Sequence, residues 1–311
     1  MSSFRSLIFC CLGLVLALSA CGPFAGQANT PTSVAEGFQV AIATSQARND
    51  QQSLAIIYYE RANYAYGQGD FNTAIEDFQA VIAIEPTNAR AYNNLGLAYA
   101  MLGRDEEAIN AYNAAIEYDP DYLRAYKNRI VLLEKHKRLP ELVSNYARLA
   151  ELEPLQAGDY HYLRGVALRS LLDNQGARAA FDQALEVDPE QMDALYERGL
   201  LNFAEGYLPE AIWDFDQALR LSPRAANVYY ARGLALQSLG RHDQAIDDFG
   251  QALVLQPDTP SFLLARASSL ILMGKPTDAS ADLVRARAGQ LDQTLQLVAD
   301  TLERELERTQ E

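Results

Sequence analysis

Few side chains in this sequence are candidates for chemistry. Cysteine occurs at Cys10, Cys11 and Cys21, and histidine at His136, His161 and His242. All the cysteines fall in the first 21 residues, so the rest offers no disulfide and no thiolate zinc site. The sequence contains no HExxH, no GxxxxGK[ST] and no GxSxG stretch. Each histidine reads as a packing or solvated residue, and the single tryptophan, Trp213, as interface packing. Neither a cofactor nor a metal is expected. More telling is a regular set of charges. Arg61, Arg198, Arg232 and Arg266 are each followed after 16 residues by Asp77, Asp214, Asp248 and Asp282. Two further arginines, Arg129 and Arg164, have Asn145 and Ala180 at that distance. A fixed offset of 16 suits an ion pair joining two neighbouring helices, a structural role. Tyrosine is regular too, with Tyr162, Tyr196 and Tyr230 spaced by 34.

These spacings require a repeated element to hold them. Prolines mark its period: Pro86, Pro120, Pro154, Pro189, Pro223 and Pro257 are 34, 34, 35, 34 and 34 residues apart. With proline counted as position 32, position 8 is small (Ala62, Gly96, Gly165, Gly199, Gly233, Ala267). Position 20 is Ala74, Ala108, Ala177, Ala211, Ala245 and Ala279. Position 24 is large: Phe78, Tyr112, Phe181, Phe215, Phe249 and Leu283. Small residues let two antiparallel helices approach closely, and the large one fills the space beside them. Proline ends the second helix because it cannot extend the hydrogen-bond ladder. Each pair leaves an apolar face that the next pair covers.

This pattern resembles the tetratricopeptide-repeat family, over about three-quarters of the chain. The resemblance implies an all-α, right-handed solenoid of about seven helix-turn-helix repeats. They start near 55, 89, 123, 158, 192, 226 and 260, within a domain spanning 53–290. The third repeat departs most, with Ile130 at position 8 and Leu142 at position 20, and one extra residue precedes the fourth. Looser packing and a change of curvature are expected there. In the tail, 291–311, Leu291, Leu295, Val298, Leu302 and Leu306 form one helical stripe. That stripe suits a cap over the open end of the array, or a dimerisation helix. The sequence leaves the oligomeric state open.

Family resemblance also implies where partners would bind. First helices line a groove, reached by positions 2, 5, 9, 12 and 13. In the C-terminal half these supply Tyr162, Tyr196 and Tyr230 with Val166, Leu200, Leu234 and Phe203. Tyrosine offers a large contact area and a hydroxyl, which suits peptide binding. Packing between neighbouring helices is the competing role for the same rings. The N-terminal half places Arg90, Arg124, Lys127 and Lys135 at groove positions, so an acidic segment would suit it. Asn63, Asn94 and Arg124 are spaced like part of a carboxylate clamp, but Tyr59 and Asn128 stand where that clamp has basic residues. Protein or peptide partners are expected. Nucleic acid is not, because 41 acidic against 26 basic residues give a net charge of −15, which repels phosphate.

Cys21 remains. Arg5 precedes an apolar run from Leu7 to Ala20, too short for a membrane span of ~20 residues. The run ends in Leu18-Ser19-Ala20-Cys21, which resembles the lipobox of bacterial lipoproteins. The resemblance implies a signal peptide over 1–20, removed before Cys21, and a lipid on the Cys21 thiol. A plain signal peptide beside an incidental cysteine is the alternative. Residues 21–52 then read as a tether, Gly- and Pro-rich at first, with a short helix around 34–47. Gly22 replaces the Asp that often retains lipoproteins at the inner membrane. The expected location is the outer membrane, facing the periplasm, in a cell with two membranes, and the outer face of the cytoplasmic membrane in a cell with one. The layout is similar to that of cell-envelope scaffolds such as NlpI-type adaptors and pilus-assembly lipoproteins that help secretins assemble. Two other classes stay open: an enzyme with an unrecognised site and a self-assembling structural protein.

Overall fold

The structure, a computed structural model, describes residues 33–310. Cys21 and the signal segment lie outside the described residues. The chain divides into two compact units, one up to Ile57 and one from Tyr58 onward. In the first unit, Ser33 starts α1 (Val34–Ala47) with a capping box: its hydroxyl accepts from the Glu36 N–H, and the Glu36 carboxylate accepts from the Ser33 N–H. Helix α2 (Gln51–Gly67) begins in this unit and continues into the second.

From α2 onward the helices come in pairs. α2 is followed by α3 (Phe71–Ile84), α4 (Ala89–Met101) by α5 (Asp105–Tyr118), and α6 (Leu123–Lys135) by α7 (Leu139–Leu152). Next come α8 (Ala157–Ser170) with α9 (Asn174–Val187), and α10 (Met192–Ala204) with α11 (Leu208–Leu221). The last pairs are α12 (Ala226–Ser238) with α13 (His242–Leu255) and α14 (Pro260–Leu272) with α15 (Pro276–Ala288), before α16 (Gln293–Gln310). No strand occurs among the described residues. None of the described helices is long and apolar enough to cross a membrane.

Position 8 explains how each pair closes. A Cβ built on Gly165, Gly199 or Gly233 would meet the ring of Phe181, Phe215 or Phe249 at 2.5, 2.6 and 2.6 Å. The ring therefore lies directly on the backbone of the first helix. Where Ala62 adds that Cβ, the Phe78 ring turns edge-on to Tyr59, at 70°. In the three glycine repeats the corresponding angles are 39°, 50° and 50°.

The third pair differs from the others in its ring contacts. Ile130 occupies position 8, and the position-24 ring, Tyr146, stacks instead on Tyr160 of the next pair, with centroids 6.5 Å apart. Its hydroxyl donates to Glu134 Oε1 at 2.5 Å. The extra residue is absorbed in a single 3-10 turn, Pro154–Gln156, between α7 and α8.

The tail is a cap: Ala299, Leu302 and Leu306 of α16 are buried against the core of α14 and α15. Its stripe is corrected at one place. Val298 is 40% exposed and Ala299 is fully buried. Stepping 295, 299, 302, 306 keeps the side chains on one face, and the small Ala299 lets α16 approach closely.

Candidate peptide-binding face

In the fourth, fifth and sixth repeats, position 5 of the first helix stands beside position 24 of the second. Tyr162, Tyr196 and Tyr230 place their rings 6.1, 6.1 and 5.9 Å from Phe181, Phe215 and Phe249. All three tyrosines are half-buried. Each ring therefore serves packing and still presents an edge to solvent. Burial pushes the Tyr162 and Tyr230 hydroxyls up, so they remain neutral donors. Val166, Leu200, Leu234 and Phe203 are also half-buried and continue this apolar stripe along α8, α10 and α12.

The N-terminal half is organised by amides. Asn94 Nδ2 donates to the Tyr59 hydroxyl at 3.0 Å and to Asn63 Oδ1 at 3.2 Å. Asn93 donates to Asn94, and Asn128 donates to Asn93 at 2.8 Å. This ladder crosses three successive first helices. Of the expected basic groove residues, Lys127 is paired with Glu153 at 2.8 Å, and Lys135 with Asp105 at 2.5 Å. His136 Nε2 also lies 2.7 Å from Asp105, and these two bonds hold the Asp105 carboxyl below the usual range. Arg90 and Arg124 are exposed, and both act on the half-buried Tyr122 hydroxyl, which burial pushes up. Asn63 and Asn94 thus meet, while Lys127 turns to Glu153. Of the four basic residues, Arg90 and Arg124 enter none of the ion pairs among the described residues, and both are exposed.

The charge ladder forms between the helices of each repeat. Arg61 grips Asp77 with two bonds of 2.6 Å, and Arg266 grips Asp282 with two of 2.7 Å. Arg198 and Arg232 hold Asp214 and Asp248 in the same way. Arg129 keeps the geometry with a neutral acceptor, Asn145 Oδ1, at 2.9 and 2.7 Å. A second partner was not anticipated from sequence. Arg198 Nη1 also reaches Asp182 at 2.6 Å, and Arg232 Nη1 reaches Asp216 at 2.5 Å, each from the preceding repeat. Arg129 Nη1 reaches Asn113 in that place. The signal lay in position 25 of the preceding repeat, which comparison at a fixed position within one repeat does not test. Burial pushes the Asp214 and Asp248 carboxyls up against the pull of their arginines, and the hydrogen bonds to Asp248 push Arg232 up.

Trp213 departs from the expectation of interface packing. It is 55% exposed, and the Arg198 guanidinium lies 6.0 Å from its ring centroid. With Pro209 and Glu210 it borders an open cleft of about 400 Å³. Among the described residues, no group of three or more His, Cys, Asp or Glu is placed to hold a metal.

Comparison with known proteins agrees with this geometry. The tetratricopeptide-repeat family matches residues 59–122, 106–141, 162–226 and 226–259. The chain belongs to that family. Proteins of this family generally mediate protein–protein interaction, typically as non-enzymatic scaffolds. Human tetratricopeptide repeat protein 13 is 28% identical over 185 residues, 58% of this chain. The matched stretch is 21% of that protein, so the chain spans about a fifth of its length. Among solved structures, YrrB, a tetratricopeptide protein with an unusual peptide-binding site, superposes with a TM-score of 0.51 at 23% identity. That match covers 62% of this chain and 99% of YrrB. PilF of Pseudomonas aeruginosa superposes at 0.50 with 18% identity, covering 70% of this chain and 97% of PilF. At these identities the likeness is one of fold.

Proposed function

We propose that the protein is a membrane-anchored scaffold that binds peptide segments or partner proteins on the face of its first helices. The observation that carries this reading is the stripe of Tyr162, Tyr196 and Tyr230 with Leu200, Phe203 and Leu234, half-exposed on three successive first helices. Side chains of this kind supply contact area with little entropy to lose, and one repeat offers the next the same chemistry. YrrB, with its peptide-binding site on a similar fold, supports the same reading. At the other end, Arg90 and Arg124 favour an acidic segment of the bound chain.

The anchor is lipid on Cys21, supported by Leu18-Ser19-Ala20 before it. Two or more acyl chains hold a protein stably at a bilayer, where one does so only marginally. The setting is the cell envelope: the outer membrane facing the periplasm, or the outer face of a single membrane. Cys21→Ser tests the anchor. Loss of membrane fractionation and of lipid mass is the expected result, and unchanged attachment with unchanged mass overturns it.

Partners are tested by crosslinking in the native membrane, comparing wild type with a Tyr162, Tyr196, Tyr230→Leu triple variant. Leucine keeps apolar contact with Phe181, Phe215 and Phe249, and circular dichroism confirms folding. A defined set of envelope proteins lost in the variant supports the groove. An unchanged set overturns it. Recovery of secretin subunits would direct the reading toward pilus assembly, and recovery of proteases or wall hydrolases toward an adaptor.

A further inference from the structure

Six arginines at position 7 can be compared inside one molecule. Four of them, Arg61, Arg198, Arg232 and Arg266, donate through Nε and Nη2 to a carboxylate at position 23 of their own repeat. Arg129 is held by two amide oxygens, Asn145 and Asn113. Arg164 has neither kind of partner at those places. Position 23 of its repeat is Ala180, and position 25 of the preceding repeat is Ala147. Its Nε is buried and finds no acceptor, and its Nη1 reaches only Gln183 Oε1 at 3.2 Å. Among the described residues, Arg164 makes no ion pair.

The shelf beneath it has changed as well. At position 4, Tyr58, Tyr126 and Tyr229 lie 5.5, 5.5 and 5.7 Å from the guanidiniums of Arg61, Arg129 and Arg232. In the Arg164 repeat that position is His161, whose Nδ1 is also buried without a partner. Burial and the positive Arg164 both hold the His161 imidazole below its ordinary 6.5, with Glu186 pulling the other way. A half-buried guanidinium without its carboxylate thus sits beside an imidazole kept neutral, in a protein of net charge −15. Leaving a buried charge unpaired is costly, and the sister repeats display what satisfies this group.

We propose that Arg164 is a binding site for a carboxylate group, which takes the place on Nε and Nη2 that Asp214 and Asp248 hold on Arg198 and Arg232. The site is independent of the tyrosine stripe, since positions 7, 23 and 25 form the junction between helix pairs. Two sources carry this chemistry, an acidic side chain of a partner and a small free carboxylate.

The test follows the arginine Nε–Hε resonances of the full chain by nitrogen–proton NMR, with Arg164→Lys to assign the signal. Sodium acetate is titrated against sodium chloride at equal ionic strength. The expected result is a saturable shift of the Arg164 resonance with acetate alone, with Arg61, Arg198, Arg232 and Arg266 unmoved. Ala180→Asp supplies an internal carboxylate at the place of Asp214 and Asp248, and Ala147→Asp one at the place of Asp182 and Asp216. Ala180→Asp should abolish the acetate response and raise Tm, by about 2–4 °C, while Ala147→Asp, which faces Nη1, should leave a response. Hexaglutamate is then compared with hexaglutamine. Saturation by hexaglutamate at tenfold or lower concentration than acetate identifies a partner side chain as the source. Equal potency per carboxylate identifies a small anion. A shift that is linear and equal for acetate and chloride overturns the proposal. So does a response that persists in Ala180→Asp.

Discussion

At the scale of single residues, the charged pairs between helices are under tension. Asp214 is almost fully buried, and its carboxylate receives two bonds from Arg198 and one from Asn202 at 2.8 Å. Burial of both groups offsets much of their attraction, so the intact pair contributes less than its geometry suggests, whereas breaking it is severe. Asp214→Ala is expected to cost about 2–4 kcal/mol in a denaturant melt, because Arg198 and Asn202 both lose an acceptor. The loss should be strongly non-additive with Arg198→Ala in a double-mutant cycle. His161 gives a pH dependence. Its folded-state pKa lies below 6.5, so on acidification the unfolded chain takes up the proton first. Stability from this residue is complete above pH 6.5 and is lost as pH falls through 6.5 toward the folded value. His161→Tyr, which restores the ring found at Tyr58, Tyr126 and Tyr229, is expected to flatten Tm over that window. Equal slopes in a pH series of thermal melts would count against this account.

At the scale of elements, the turn inside each repeat repeats one conformation. Position 15 has positive φ throughout: Gly69, Gly103, Gly206, Gly240 and Gly274, but also Lys137 at 53° and Leu172 at 62°. A side chain there clashes with its own backbone, at a cost of about 1–2 kcal/mol. Leu172 is 87% exposed, so its side chain returns little by burial. Leu172→Gly is expected to stabilise by about 1 kcal/mol, read as a Tm rise of about 2–4 °C. Much at this level was legible in the sequence. Positions 8, 20 and 24 could be read because close helix approach demands small against large, and prolines marked each helix end. Other features were not legible, for specific reasons. Val298 and Ala299 both lie near the apolar stripe of α16, and only the approach of α14 and α15 selects the smaller residue. Lys127 pairs with Glu153 across 26 residues, a distance that no periodicity encodes. Trp213 is aromatic in a helix that packs on others, yet it stands outward beside Arg198. The three tyrosines were placed by spacing alone, and the structure gives each ring both a packing contact and an accessible edge.

At the scale of the whole array, neighbouring repeats share charge as well as apolar surface. Arg198 and Arg232 each bind one carboxylate of their own repeat and one of the repeat before. The fifth repeat can therefore be excised with its junction chemistry kept. Joining residue 191 to residue 226 sets Arg232 against Asp182, an acid at the same position as Asp216. Excising the fourth repeat instead, by joining residue 157 to residue 192, leaves Arg198 facing Ala147. Thermal melts of the two deletions, equal in loss of length, should rank the first above the second. Repeats in this chain are thus words in a sentence with agreement between neighbours. That agreement is missing at two joins, the third with the fourth repeat and the sixth with the seventh, where Arg164 and Arg266 follow Ala147 and Gly250.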